Sequence, residues 1–367
     1  MRPVPSSLRG TDRSLTDYFD VALLDLDGVV YIGAHAVPGV PAALSEARAR
    51  GMRLGFVTNN AARTPQTVAA HLTELGIPAD ADEVITSAQA AARYLAERLP
   101  AGAAVLVIGT VGLEQALLEQ GLVPTFSADD PITAVVQGYS PDLNWRLLAE
   151  GAVAINRGLP WVATNLDPTV PSPRGPLPGN GSLVAALRHA TRVEPVVTAG
   201  KPDPTMHRES LLRSRADRPI VVGDRLDTDI EGANAVGCPS LLVLSGVTTP
   251  RDLLAAPPAL RPTYLAADAA GLLGVHPEPI FEAGAVRCRG WRSSALADQG
   301  RLELEEAHSS GGMDESEDRL DALRALCAAW WSTGRSSSGD TASERPPVVE
   351  GVSSGAREML DRLGLRG

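Results

Sequence analysis

Cysteine, basic charge and long apolar runs are all scarce in this chain, and each shortage excludes something. The three cysteines, Cys238, Cys288 and Cys327, stand far apart and form neither a disulfide framework nor a ligand spacing. They read as small buried apolar groups in a reducing compartment. No stretch approaches the ~20 apolar residues that cross a bilayer. The opening segment, MRPVPSSLRGTDRSLTDYFD, is positively charged but has no apolar core of signal-peptide length. A cytoplasmic location is therefore expected, with no membrane partner. Lys and Arg number 33 against 44 Asp and Glu, a formal net charge of −11. That balance argues against nucleic-acid binding, which rests on a basic surface. It leaves a phosphorylated substrate open, because a bound metal and one lysine reverse the sign locally. No repeat or coiled-coil pattern is present. At 367 residues the chain is long enough for about two to three domains.

What the chain does have is strand–helix alternation. Residues 21–24 form an apolar run leading into Asp25, Asp27 and Gly28. A run this short, closed by a glycine turn, reads as a buried strand of a parallel sheet. On this stretch alone the two acids mark either a cation site beyond a strand end or a solvated surface turn. Residues 53–58 (RLGFVT) are a second buried strand, ending in Thr58-Asn59-Asn60. Between about 83 and 179 lies a region with its own alternation: strands at 104–108, 133–137 and 160–164 and helices at 88–99, 113–120 and 143–156. A Pro/Gly-rich stretch, PTVPSPRGPLPGNG, follows it and reads as an irregular crossing. A strand at Val196-Val197 then leads to Gly200-Lys201-Pro202. Residues 219–222 are a further strand, closing on GDRLDTD with Asp224 and Asp229, and 240–244 another.

The alternation fades after about residue 273. Beyond it a hairpin of 285–289 with 301–305 and a helix at 317–331 are expected. A Ser/Gly-rich stretch, GRSSSGDTASERPP, should be flexible. Residues 1–14 are expected to be a loose arm, and the chain to residue 273 to fold and act without the tail.

Four apolar runs thus end in four polar sets: Asp25/Asp27, Thr58/Asn59, Lys201 and Asp224/Asp229. Parallel strands bring their carboxyl ends to one edge. Together the sets supply hard oxygens for a cation, suited to Mg²⁺, and donors for an oxyanion. The motifs DLDGVVY at Asp25, VTNN at Val57, GKP at Gly200 and GDRLDTDI at Gly223 resemble those of the haloacid dehalogenase (HAD) superfamily of phosphatases. Within it they resemble the NagD-like subfamily with a type IIA cap. Ala163-Thr164-Asn165-Leu166-Asp167 and PLPGNGSLVAAL from Pro176 resemble that subfamily's cap-to-core crossing.

The resemblance implies an α/β fold: a Rossmann-like parallel-sheet core over 15–82 and 180–273, an inserted α/β cap over 83–179, and a C-terminal accessory segment over 274–367. It implies Asp25 as nucleophile and Asp27 as general acid and base. Mg²⁺ is expected on the Asp25 carboxylate, the Asp27 carbonyl and Asp224. Thr58, Asn59 and Lys201 are expected to hold phosphoryl oxygens, Asp229 to orient metal waters or Lys201, and Gly28 to let the backbone approach the phosphate. Asn165 and Asp167 are expected either to shape substrate access or to form a turn.

A cap closing over the crevice implies a small phosphomonoester. The composition and long C-terminal extension resemble actinobacterial members acting on glycerol 3-phosphate, which is the first expectation. Phosphoglycolate, other sugar phosphates, pyridoxal phosphate and nucleoside monophosphates stay open, and a homodimer is admitted. A dehalogenase would not need the acid at 27, and a phosphomutase typically carries a smaller cap. The C-terminal segment resembles an acetyltransferase-like fragment but lacks the R/Q-x-x-G-x-G/A loop for acetyl-CoA. A structural, binding or regulatory role is expected of it.

Overall fold

The computed structural model describes residues 8–170, 174–307, 315–334 and 347–366. The chain divides into two compact units: Met1–Ile32, Ala36–Leu54 and Asp217–Gly367 form one, Gly33–His35 and Gly55–Ala216 the other.

In the first unit, parallel strands lie in the order Tyr264–Ala266, Ser240–Val243, Pro219–Gly223, Val21–Asp25. Val21, Ala22, Leu23, Leu24, Ile220, Val222, Leu241 and Leu242 are all buried, which is why these strands read as continuous apolar runs rather than alternating ones. Leu24 pairs with Val222, and Val222 with Leu241, so neighbouring strands end level with one another. The Arg53 N–H donates to the Asp20 carbonyl at 2.9 Å, and its guanidinium pairs with the Asp20 carboxylate at 3.0 Å.

The same unit carries a second sheet, ordered Ile280–Glu282, Ala285–Cys288, Trp291–Leu296, Arg301–Glu306, Val348–Gly351. This corrects the expected hairpin. Trp291–Leu296 lies between its two arms and pairs with both. Its sequence, WRSSAL, buries Trp291 and Ser293 and leaves Arg292 and Ser294 partly exposed, so a serine stands where an apolar residue would mark the period. Helix Glu315–Trp331 packs here with Leu320, Leu323, Leu326, Cys327, Trp330 and Trp331 in one core with Leu242, Leu253, Leu254 and Leu265. The tail is therefore not loosely coupled. The stretch from 335 to 346, expected to be flexible, lies outside the described residues.

The arm is corrected in part as well. Residues 1–7 lie outside the described residues, but Leu8 is buried in the same core. Arg9 N–H donates to the Thr263 carbonyl and Thr11 N–H to the His276 carbonyl, at 2.9 and 2.8 Å.

In the second unit, strand residues Phe56–Thr58 pair in parallel with Val84–Thr86. A parallel sheet runs Val197–Thr198, Trp161–Ala163, Ile132–Gln137, Ala104–Ile108, Val123–Thr125. Helices Trp145–Asn156 and Asn180–Thr191 supply Ala154, Ile155, Val184 and Leu187 to its core around Trp161. The boundary expected at 179/180 therefore falls inside a folding unit. Val184 and Leu187 belong to this core, and Val197–Thr198 is its edge strand. Helix Ser87–Ala96 starts with a reciprocal Thr86–Gln89 capping box, which satisfies two otherwise orphaned N–H groups.

Candidate active site

In the first unit the acids come from adjacent parallel strands. Val21–Asp25 ends on Asp25, and Pro219–Gly223 is followed at once by Asp224. A wide π turn, Leu226–Ile230, folds Asp229 back toward the same strand end. One carboxylate oxygen from each of Asp25, Asp224 and Asp229 lies within 4.8 Å of the others. Asp224 and Asp229 are buried; Asp25 is half-buried and Asp27 exposed.

Asp224 and Asp229 are fixed by backbone donors. Asp224 Oδ2 accepts from Val247 N–H at 2.7 Å, and Asp229 Oδ2 from Arg225 N–H at 3.1 Å. The Asp224 carbonyl accepts from Thr248 N–H at 3.1 Å. Gly28 has φ of +86°, and a Cβ there would lie 2.5 Å from Asp224 Oδ2. Only glycine suits both the conformation and the closeness. Ser245 Oγ–H closes the loop on the Gly28 carbonyl at 2.7 Å. Three carboxylates this close repel one another unless a cation lies among them. Their hard oxygens suit a small divalent ion such as Mg²⁺.

In the second unit Thr58, Asn59 and Lys201 come together through Asn59. Its Oδ1 accepts from the Lys201 N–H at 2.8 Å, and its Nδ2 donates to the Lys201 carbonyl at 3.2 Å. The Thr58 hydroxyl oxygen accepts from Asn60 N–H at 3.1 Å, and both Thr58 and Lys201 are buried.

The sequence undervalued what holds Asn59. Asn165 Nδ2 donates to the Asn59 carbonyl at 2.7 Å, and Asn180 Nδ2 to the Asn165 carbonyl at 2.8 Å. Asn59 Nδ2 also donates to Asp167 Oδ2 at 3.2 Å. Asn165 and Asp167 form a turn, the Asp167 N–H donating to Asn165 Oδ1 at 3.2 Å, and both also bond to Asn59. Asn180 was recognisable only inside PLPGNGS, and nothing in LSGVTT flagged Gly246 or Val247.

Arg225 pairs with Asp227 at 2.8 Å. No histidine joins an acidic cluster among the described residues. The cysteines are free and buried; burial pushes Cys238 and Cys288 up to about 12 and raises Cys327 as well. They stay thiols and are poor nucleophiles.

Carboxylates at the ends of adjacent parallel strands in one unit and a lysine–threonine–asparagine set in the other define a class of enzyme, and the chain belongs to the haloacid dehalogenase-like hydrolases. Residues 22–123 match the family model of that description, and residues 198–272 match a second HAD-hydrolase-like model. Residues 288–365 match a GCN5-related N-acetyltransferase like domain.

Among individual proteins, the chain is 42% identical to the D-glycerol 3-phosphate phosphatase of Mycobacterium tuberculosis, over 96% of each chain. It is 36% identical to an acid sugar phosphatase of Staphylococcus aureus, over 63% of this chain and 88% of that one. The crystal structure of the M. tuberculosis glycerol phosphate phosphatase in complex with magnesium superposes with a TM-score of 0.83 at 42% identity, covering 96% of this chain and 99% of the other.

Proposed function

We propose that this chain hydrolyses a small phosphomonoester, glycerol 3-phosphate first among them, to alcohol and phosphate in the cytoplasm. The observation that carries the reading is the Asp25–Asp224–Asp229 cluster at the ends of paired strands. The 42% identity to a D-glycerol 3-phosphate phosphatase supports the substrate. Phosphoglycolate and other sugar phosphates are the competing substrates, and the acid sugar phosphatase relative keeps them in the test.

In this reading the Asp25 carboxylate attacks phosphorus in line, and the ester P–O bond breaks as an aspartyl-phosphate forms. Asp27, exposed at the turn after the strand, protonates the departing alkoxide. It then takes a proton from the water that attacks the intermediate, which releases phosphate and restores Asp25. The Thr58 hydroxyl, Asn59 N–H and Lys201 ammonium hold the non-reacting oxygens, as a charge-spread transition state requires. Asp25, the Asp27 carbonyl and Asp224 would hold Mg²⁺, with Asp229 orienting its waters. When bound, the ion neutralises the developing phosphoryl charge. Residues 274–367 serve as an accessory piece that covers the core.

The test is a panel of small phosphomonoesters assayed with Mg²⁺ before and after EDTA. Glycerol 3-phosphate is expected to give the highest kcat/KM, and EDTA to reduce phosphate release by roughly 10²-fold or more, restored by Mg²⁺. Full activity after exhaustive EDTA treatment would refute the metal assignment. Asp224→Ala should weaken Mg²⁺ binding while circular dichroism stays native-like.

Asn165→Leu tests the positioning role. It removes the Asn165 donor to the Asn59 carbonyl, which keeps its bond from Ser87 Oγ–H at 2.6 Å. A hydrogen bond lost while the carbonyl keeps another donor costs about 0.5–1.5 kcal/mol. We expect kcat/KM to fall roughly two- to tenfold; wild-type kinetics would rule the role out.

A further inference from the structure

A cleft of about 630 Å³ in the first unit is lined by arginines from three helices and by none of the site residues proposed above. Arg251 comes from Pro250–Ala255, Arg319 from Glu315–Trp331 and Arg362 from Ser354–Arg362. Asp361 is the single acid lining it, and Arg366 already pairs with Asp361 at 2.6 Å. Arg362 is paired with Glu358 at 2.8 Å.

Two cations are left over. No carboxylate is paired with Arg251 among the described residues, and Arg319 Nε is buried with no hydrogen-bond partner. In a chain of net charge −11, a pocket lined by three guanidinium groups and one carboxylate favours an anion. Guanidinium forks fit phosphate geometry, and the volume is that of an organic ligand site.

The cleft shares a loop with the acidic cluster. Gly246 and Thr248 line it. A Cβ on Gly246 would lie 1.9 Å from Asp224 Oδ2, and Val247 and Thr248 donate their N–H groups to Asp224 at 2.7 and 3.1 Å. The loop that grips Asp224 is thus one wall of the cleft.

We propose that this cleft binds a phosphate-bearing anion other than the molecule being hydrolysed, and that its occupancy is felt at Asp224. The phosphate comes either free, as the product of this reaction class, or carried on an organic ester. Binding at the two places is then linked, each strengthening the other by the same factor.

The experiment uses the full chain. Crystals soaked in tungstate are expected to show an anomalous peak within reach of Arg251 and Arg319, lost in Arg251→Gln/Arg319→Gln. In solution, Mg²⁺ titrations are run without anion, with inorganic phosphate and with phenylphosphonate. We expect at least a threefold tighter Mg²⁺ Kd with one of the anions in the wild type, beyond any shift the variant retains. A larger effect of phenylphosphonate identifies an ester as the ligand, and a larger effect of phosphate identifies the free ion. Arg251 is exposed, so Arg251→Gln alone carries the test should the double variant fail to fold. No peak in the cleft, or an equal peak in the variant, overturns the site. A peak with identical Mg²⁺ shifts in wild type and variant overturns the link to Asp224. Neither result depends on the substrate assignment, which the phosphomonoester panel tests separately.

Discussion

Asp25→Asn is expected to abolish turnover, and Asp27→Asn to leave an enzyme that still takes up phosphate but stalls. The amide at 25 is a poor nucleophile, and it removes one of the three carboxylates that lie within 4.8 Å of one another. The change at 27 keeps the backbone carbonyl, so affinity for Mg²⁺ and substrate should barely move. What it removes is the proton donor and acceptor, a loss of about 10²–10⁴-fold for alkyl phosphates. With p-nitrophenyl phosphate the leaving group departs unprotonated, so the first step recovers. Hydrolysis of the aspartyl-phosphate then limits the rate, and mass spectrometry of an acid-quenched sample should find phosphate on the peptide containing Asp25. Equal losses for both leaving groups, with no phosphorylated peptide, would reverse the assignment of these two roles.

Much of the proposed site was legible because its acids sit where buried parallel strands stop. A strand buried on both faces writes itself as an unbroken apolar run, as Val21–Leu24 and Ile220–Val222 do, and the first polar residue after it marks the functional edge. Short or polar-faced strands gave no such signal. Val84–Thr86 and Tyr264–Ala266 have only three residues each, and Trp291–Leu296 hides its period behind serines. The folding unit around Trp161 was cut too early because the Pro/Gly-rich crossing looks like a boundary. Helix Asn180–Thr191 nonetheless returns Val184 and Leu187 to that core. The supports of the site were harder still to see. Asn165 and Asn180 act through side-chain amide donors to backbone carbonyls, and no local pattern announces a partner 106 residues away.

The same blindness to long-range packing changes what removal of the tail should do. Composition suggested a detachable piece, so a chain ending at residue 273 was expected to fold and act. The structure predicts the opposite. Leu242, Leu253, Leu254 and Leu265 share one core with Leu323, Leu326, Trp330 and Trp331, and truncation would expose them. Each leucine returned to water costs about 1.5–3 kcal/mol, so the four together approach the ~5–15 kcal/mol that holds a whole domain folded. Polar ties go with them. Trp331 Nε1–H donates to the Leu254 carbonyl at 3.2 Å, and Arg324, buried and paired with Asp321 at 2.6 Å, donates to the Leu265 carbonyl at 2.6 Å. Arg261 stacks on the Trp331 ring at 5.0 Å, and burial brings its pKa down to about 10. The 1–273 chain should therefore be insoluble or melt without cooperativity, as read by gel filtration and a circular-dichroism melt. In the full chain, Trp331→Ala should lower stability by about 3–5 kcal/mol while Mg²⁺-dependent kcat below the new Tm changes little. A 1–273 chain that melts cooperatively near the full-length Tm with unchanged kcat would show that the shared core contributes nothing the strands around Asp25 require.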